Sequence, residues 1–272
     1  MANMTVTSHA NFIPEIWSKE VIKAVEANLV LANLVMRYDS DVANGGDTIH
    51  VPNVSNFTAN DKVAGVTTSP QSTTEGEVQI SVATHKEITF VLEDIAKVQS
   101  SFNLMSLYTQ KAGYGIAAAI DASLAALAAG FSQTKGTYNT AITTDVVLDS
   151  LELLDLADAP QNDRAFVFRP DVKRDLLDID RYVSTDFVSQ PGVKTGMIGE
   201  LYGVPTFMST NLVKTGSNTD NMMFQKEALG LALQKQTVEN QYSIADLGER
   251  VTAHAIYGVK EMRDTFGVLV KT

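Results

Sequence analysis

The chain has 272 residues, 44% of them hydrophobic, a formal net charge of −11 and no cysteine. That length and apolar content suffice for a real core, in one large or two small domains. The acidic balance excludes a dedicated nucleic-acid binder, which needs a basic surface to displace counterions, though not a container for nucleic acid. The missing thiols exclude disulfides, thiolate metal sites and cysteine nucleophiles.

Residues 1–12, MANMTVTSHANF, are polar and carry no charged-then-apolar signal pattern. Synthesis and retention in a reducing cytoplasm are therefore expected. Pro14 suits a first helical turn, and Ile16, Trp17, Ile22, Val25, Leu29 and Val35 predict an amphipathic helix to about Met36. Trp17 has two readings, packing inside the chain or anchoring an arm to a neighbouring subunit. Residues 44–47 form a turn and 48–54 a short strand. The stretch 55–76 is polar, with almost no large apolar residue. Period-two alternation then returns over 77–92, through Val78, Ile80, Val82, Ile88 and Phe90. Together these predict a long hairpin with a tip of about twenty residues, uncommon in a compact domain and so either disordered or held by another molecule.

A long helix is predicted over 103–129, with Leu104, Leu107, Ile116, Ile120, Leu124 and Leu127 on one stripe and alanine over much of the rest. Gly113 and Gly115 suggest a bend or a close contact. A membrane span is disfavoured: Asp121 interrupts the helix, and the apolar run 116–129 is short of about 20 residues. Thr143 or Thr144 caps a helix running to Pro160. Residues 165–168 form a buried strand, 171–179 a short helix, and 203–209 and 221–224 strands. Residues 229–233 fit either strand or helix, and 250–271 holds two strand candidates. Alternating helices and strands in this block indicate an α/β subdomain.

Enzymatic signals are poor. Gly113, Gly115 and Ala118 fit a loose dinucleotide pattern, but inside a helix and not at a strand-to-helix turn. There is no phosphate-binding loop and no nucleophile elbow. His9, His50, His85 and His254 form no metal-ligand pair, although His50 and His85 lie on candidate partner strands. Asp145, Asp149, Glu152, Asp155 and Asp158 lie on one helix, where a solvated face is the default reading. Lys173, Arg174 and Arg181 form a small basic cluster suited to acidic groups on a neighbour. No catalytic, cofactor-binding or metal residue is expected.

The order of parts resembles the major capsid proteins of tailed phages with the Hong Kong 97-type fold. The local matches are FIPEIWS at 12–18, GGDTIHVP at 45–52, FVLED at 90–94 with Gln99 and Ser100, GELYGVP at 199–205, and Tyr257 with Gly258. The resemblance implies an α+β fold with an N-terminal arm and helix (1–44), an extended β-hairpin loop (45–90), and an α/β axial domain (140–245). A peripheral domain would hold the spine helix and closing strands (91–139 and 246–272).

It also implies self-assembly through pentamers and hexamers into an icosahedral virion head around double-stranded DNA. Assembly in the host bacterial cytoplasm, a portal, a separate scaffolding protein or none, DNA held without sequence-specific binding, and no membrane partner would follow. Trp17, Asn60, Asp61, Lys62, Lys173, Arg174 and Arg181 are the expected subunit-contact residues. Lys62 is the only lysine in the loop tip, and no isopeptide cross-link is expected from it. An encapsulin-like compartment would share the fold but package protein; a small-molecule α/β enzyme would need convergent polar groups that the sequence does not supply.

Overall fold

The computed structural model describes residues 30–43, 45–54, 57–65, 67, 68, 70–72, 75–99, 104–177 and 197–272. From Val30 onward the chain takes its shape from what it meets more than from local preference. Leu31–Leu34 makes one helical turn, α1. The helix expected to reach Met36 stops there, because Met36–Arg37 becomes strand β1, parallel to residues 230 and 231. Those edge groups need partners, and tertiary pairing overrides helical preference. Asp39–Val42, α2, follows, and the Asp39 carboxylate accepts the Leu233 N–H at 2.8 Å.

Thr48–Val54 (β2) and Glu75–Ser81 (β3) pair antiparallel as the predicted hairpin. The alternation over 77–92 is two strands, not one. Val82 donates its N–H to Asp47, closing the hairpin, and Thr84–Glu93 (β4) departs to another sheet. His85 therefore faces His254, ring centroids 5.6 Å apart, while His50 meets Glu77 at 2.9 Å across the hairpin. Asp94–Gln99 is α3.

Leu104–Ala126 is α4, the spine, prolonged by a 3-10 turn at Leu127–Gly130. Gln133–Gly136 is β5, and Thr144–Leu156 is α5, with the Thr143 hydroxyl accepting the Val146 N–H. Arg164–Phe168 (β6) is followed by Lys173–Leu177 (α6). The remaining strands are Met197–Leu201 (β7), Val204–Met208 (β8), Lys214–Thr215 (β9), Asn218–Gln225 (β10), Leu229–Ser243 (β11), Gly248–Glu261 (β12) and Gly267–Lys271 (β13).

Three sheets result. One runs β1-β11-β12-β4; a second runs β5-β13-β10-β6-β8-β7 with β9 on β10; the third is the β2–β3 hairpin. The second sheet is buried at its centre: all five residues of β6 are inaccessible, as are Met222, Met223 and Phe224. The spine lies across β12 and β4. Alanines 253 and 255 on β12 let the helix approach closely, and Ile116, Ile120 and Leu124 fill the contact. Tyr257, fully buried, brings its hydroxyl to Ser123 at 2.8 Å. Gly258 lies against the Ser81 backbone, where a Cβ would come within 2.3 Å of the carbonyl oxygen. Of the two spine glycines, Gly115 has the close contact: a Cβ there would meet Ile88 at 2.6 Å, whereas Gly113 has nothing within 4 Å.

Asp121, which the sequence offered mainly as a polar break in an apolar run, is fully buried. Its carboxylate accepts the Val30 N–H at 3.2 Å and the Ala32 N–H at 3.0 Å, with the Asn211 amide at 3.4 Å. It thus serves as a cap for α1 supplied from 89 and 91 residues away. Residues 105–130 are long and apolar enough to cross a membrane. Here one side of the helix rests on a sheet, and its buried carboxylate is tied to protein N–H groups.

Two measurable consequences follow. Asp121→Ala leaves two N–H groups without acceptors and should cost about 2–4 kcal/mol. Urea unfolding should register the loss, with faster hydrogen exchange at Val30 and Ala32 and a smaller effect for Asp121→Asn. The second concerns Glu261, whose carboxyl sits beside Gly130 at the spine's C-terminal end. Burial, then the nearby Asp264 charge, raises its pKa above the ordinary value. A raised folded pKa means stability present below the unfolded value is lost as pH rises through the folded one. Glu261→Gln should therefore raise the Tm at neutral pH, and that gain should vanish in acid.

Candidate functional site: surfaces left for subunit contact

Among the described residues, no group of three or more His, Asp or Glu is arranged to hold a metal ion. What the described chain offers is projecting and uncovered surface.

The loop tip is the first such surface. Phe57, Thr58, Asn60, Asp61, Lys62, Val63, Thr67, Thr68 and Gln71 enclose an open hollow of about 590 Å³. The Gln71 side-chain amide closes it. Its oxygen accepts the Thr58 N–H at 3.1 Å and its NH₂ donates to the Thr58 carbonyl at 2.5 Å. A side chain thereby stands in for one rung of a strand ladder, which gives a polar tip local order without a core. Asn60, Asp61 and Lys62, expected as contact residues, all lie here and are exposed. Lys62 donates to the Val63 carbonyl at 2.7 Å. Phe57 and Val63 stand out at 70% and 64% exposure, the only large apolar side chains among those that line the hollow. Sequence reasoning passed over both because they are isolated in a polar stretch.

Lys173 and Arg174 open α6 and are exposed, with no ion pair to any other described residue. Their neighbour Asp171 is already engaged: a hydrogen bond from Lys214, then the charges of Lys214 and Arg169, holds its carboxyl below the usual range. Trp17 and Arg181 lie outside the described residues.

The acidic helix α5 is only partly a solvated face. Asp149 pairs with Lys135 at 3.1 Å and Asp155 with the buried Arg164 at 2.7 Å. Leu148 and Leu156 are exposed, Leu156 at 75%. Val147 and Leu154 do the packing.

A further surface was not legible at all. β11 and β12 form a long ribbon whose polar half, 234–243, showed no strand signal. Its far end carries Val91, Ile95, Val98, Tyr242, Ile244 and Leu247, all exposed. Hydrogen bonds hold these elements together: Asp94 N–H donates to the Leu247 carbonyl at 3.0 Å, and the Tyr242 hydroxyl to Asp94 at 2.9 Å. The latter contact raises the Tyr242 pKa, chiefly because the phenol proton is held by the carboxylate. Clustered exposed apolar groups of this kind mark interaction sites. The spine adds to the uncovered area, since only 39% of its most apolar window is buried.

No family model matches the sequence, and no curated protein does. Solved structures do. One described as Mycobacterium phage Che8 shares 28% identity over 96% of this chain and 97% of that one, with a TM-score of 0.81. The capsid structure of the cyanophage P-SCSP1u shares 16% identity over 99% and 96%, with a TM-score of 0.78. The asymmetric unit of the bacteriophage PhiM1 mature capsid shares 15% over 95% and 91%, at 0.72. The chain has the fold of phage capsid proteins. The α+β architecture expected from the sequence, with a long hairpin loop and spine helix, is the one observed.

The tip geometry is directly testable. Gln71→Ala should speed hydrogen exchange at the Thr58 amide and open the tip to proteolysis. Global unfolding should not change, because no core residue is touched.

Proposed function

We propose that the chain is a tailed-phage major capsid protein, which self-assembles through pentamers and hexamers into an icosahedral head around double-stranded DNA. The observation that carries this reading is the full-length match to capsid structures, at TM-scores of 0.72 to 0.81. The uncovered surfaces supply its physical logic. A hairpin with a polar tip and a half-covered apolar helix are unfinished in one chain and complete in a shell. Contacts between unlike patches close rings, and many modest contacts together make a strong wall.

In this reading the protein is structural and has no catalytic role or cofactor. Its main partner is itself, with a separate scaffolding protein and a portal as further partners. The acidic chain encloses DNA without reading its sequence. It works in the virion after assembly in the host cytoplasm. Residues 45–90 act as the extended loop reaching a neighbouring subunit. Residues 91–139 and 246–272 act as the peripheral domain, and 140–245 as the axial domain around the five- and six-fold axes. Lys173 and Arg174 suit the acidic outer face of α5 on the adjacent copy, where Asp145 and Glu152 are exposed. Opposite charges set across a contact orient it and disfavour wrong pairings.

Electron microscopy of the overexpressed protein should show closed particles or ring-shaped capsomers. A protein that stays monomeric under all assembly conditions would overturn the reading. Lys173→Glu with Arg174→Glu should leave far-UV circular dichroism and Tm unchanged while sharply reducing particle yield.

A further inference from the structure

The sheet β1-β11-β12-β4 carries the spine on one face and leaves much of the other in water. Ala253, Ala255 and Tyr257 on β12 are buried toward the spine, so Thr252, His254 and Ile256 between them point the other way. By register, His85, Glu87 and Thr89 of β4 share that second face, and the Thr89 and Thr252 hydroxyls meet there at 3.1 Å. His85 pairs with Ile256 and Glu87 with His254. The two histidines are therefore diagonal neighbours on one face, a relation within reach of aromatic and long side chains. His85 is exposed and His254 half-buried.

Their ring centroids stand 5.6 Å apart, with the rings inclined at 74°. Two imidazoles on one tetrahedral ion, each bound through a nitrogen at about 2.0–2.1 Å, hold their ring centres about 5.2 Å apart. The pair thus already stands close to chelating separation, and surface rings need only turn to aim one nitrogen each at a common point. The surrounding charges admit a cation. Glu87 lies directly opposite His254. Of the cations on this face, Lys235 is paired with Glu239 at 3.1 Å and Arg250 with Asp246 at 2.9 Å. His50, in contrast, lies on the hairpin and is held by Glu77.

We infer that His85 and His254 form a two-histidine site for a zinc-type divalent ion, with water completing its coordination. Imidazole nitrogen suits such ions, and two protein ligands with water make an open, surface site. The ion acts as a clamp and takes part in no reaction. It ties β4 to β12 just after Val82, where the hairpin closes and the chain changes sheet. Ile256, between the histidines and the loop root, packs against the cluster of Ile49, Ile80 and Val82. A bound ion therefore stiffens the base from which the loop projects. The site lies within a single chain and stands whether or not that chain forms a shell.

Equilibrium dialysis of the untagged protein against Zn²⁺ tests the site, since it reads single chains and particles alike. The absence of cysteine removes thiolate competition. Saturable binding of one ion per chain is expected. His85→Gln and His254→Gln should each weaken it at least about tenfold, the lower bound for losing even a supporting contact. His50→Gln should bind as the unsubstituted protein does. Zn²⁺ should also raise the Tm of the unsubstituted protein and leave that of His254→Gln unchanged. No saturable binding to the unsubstituted protein would leave an edge-to-face ring contact only and overturn the site. Binding that survives loss of both histidines, or that is lost with His50→Gln, would overturn it as well.

Discussion

One carboxylate ties three parts of this chain together. Asp121 is fully buried on the spine helix, where an unpaired charge would be costly. It is tolerated because the chain entering at Val30 and Ala32 brings it two N–H groups, and Asn211 brings an amide. The helix needs those donors as much as the short turn needs an acceptor. That mutual need fixes where the N-terminal segment joins the body and which face of the spine it meets. Tyr257 performs a parallel task from the other side, linking β12 to Ser123. Between them these polar contacts set the register of a helix whose alanine-rich surface could otherwise slide.

With the spine fixed, the remainder follows from steric limits. Alanine on β12 and glycine at 115 and 258 remove side chains where backbones must pass closely. The loop hairpin can then cross β12 at Gly258 and project from a small cluster of its own around Ile80. What projects has little internal support. One glutamine side chain orders the tip, and apolar residues in the tip and at the far end of the main ribbon stay in water. A folding unit that leaves such surfaces uncovered is built to gain stability by association, as expected of a shell component that must fold before it assembles.

The readable parts of the sequence were those where one physical effect acts alone. The spine, the capped helix after Thr143 and the buried strand at 164–168 announced themselves by periodicity, a capping hydroxyl and a continuous apolar run. The hairpin was legible because its alternation brackets a long polar gap. Misreadings arose where partners compete. The helix expected up to Met36 gave way to an edge strand, because Gly230 and Leu231 supply a ladder to join. The alternation over 77–92 hid a break at Val82, whose N–H goes to Asp47. The polar strand 234–243 had no signal, since it is held by backbone pairing to β12 and has little to bury. The apolar surface at its end was invisible because its members come from two distant stretches of chain, 91–98 and 242–247.

By itself, then, the sequence determined the kind of elements, their order and the resemblance to a shell protein, because periodicity, turn residues and composition are local properties. Tertiary structure decided which surfaces remain open and what the buried charge is for. Those depend on which distant backbone groups reach a given side chain, and residue spacing along the chain carries no record of that.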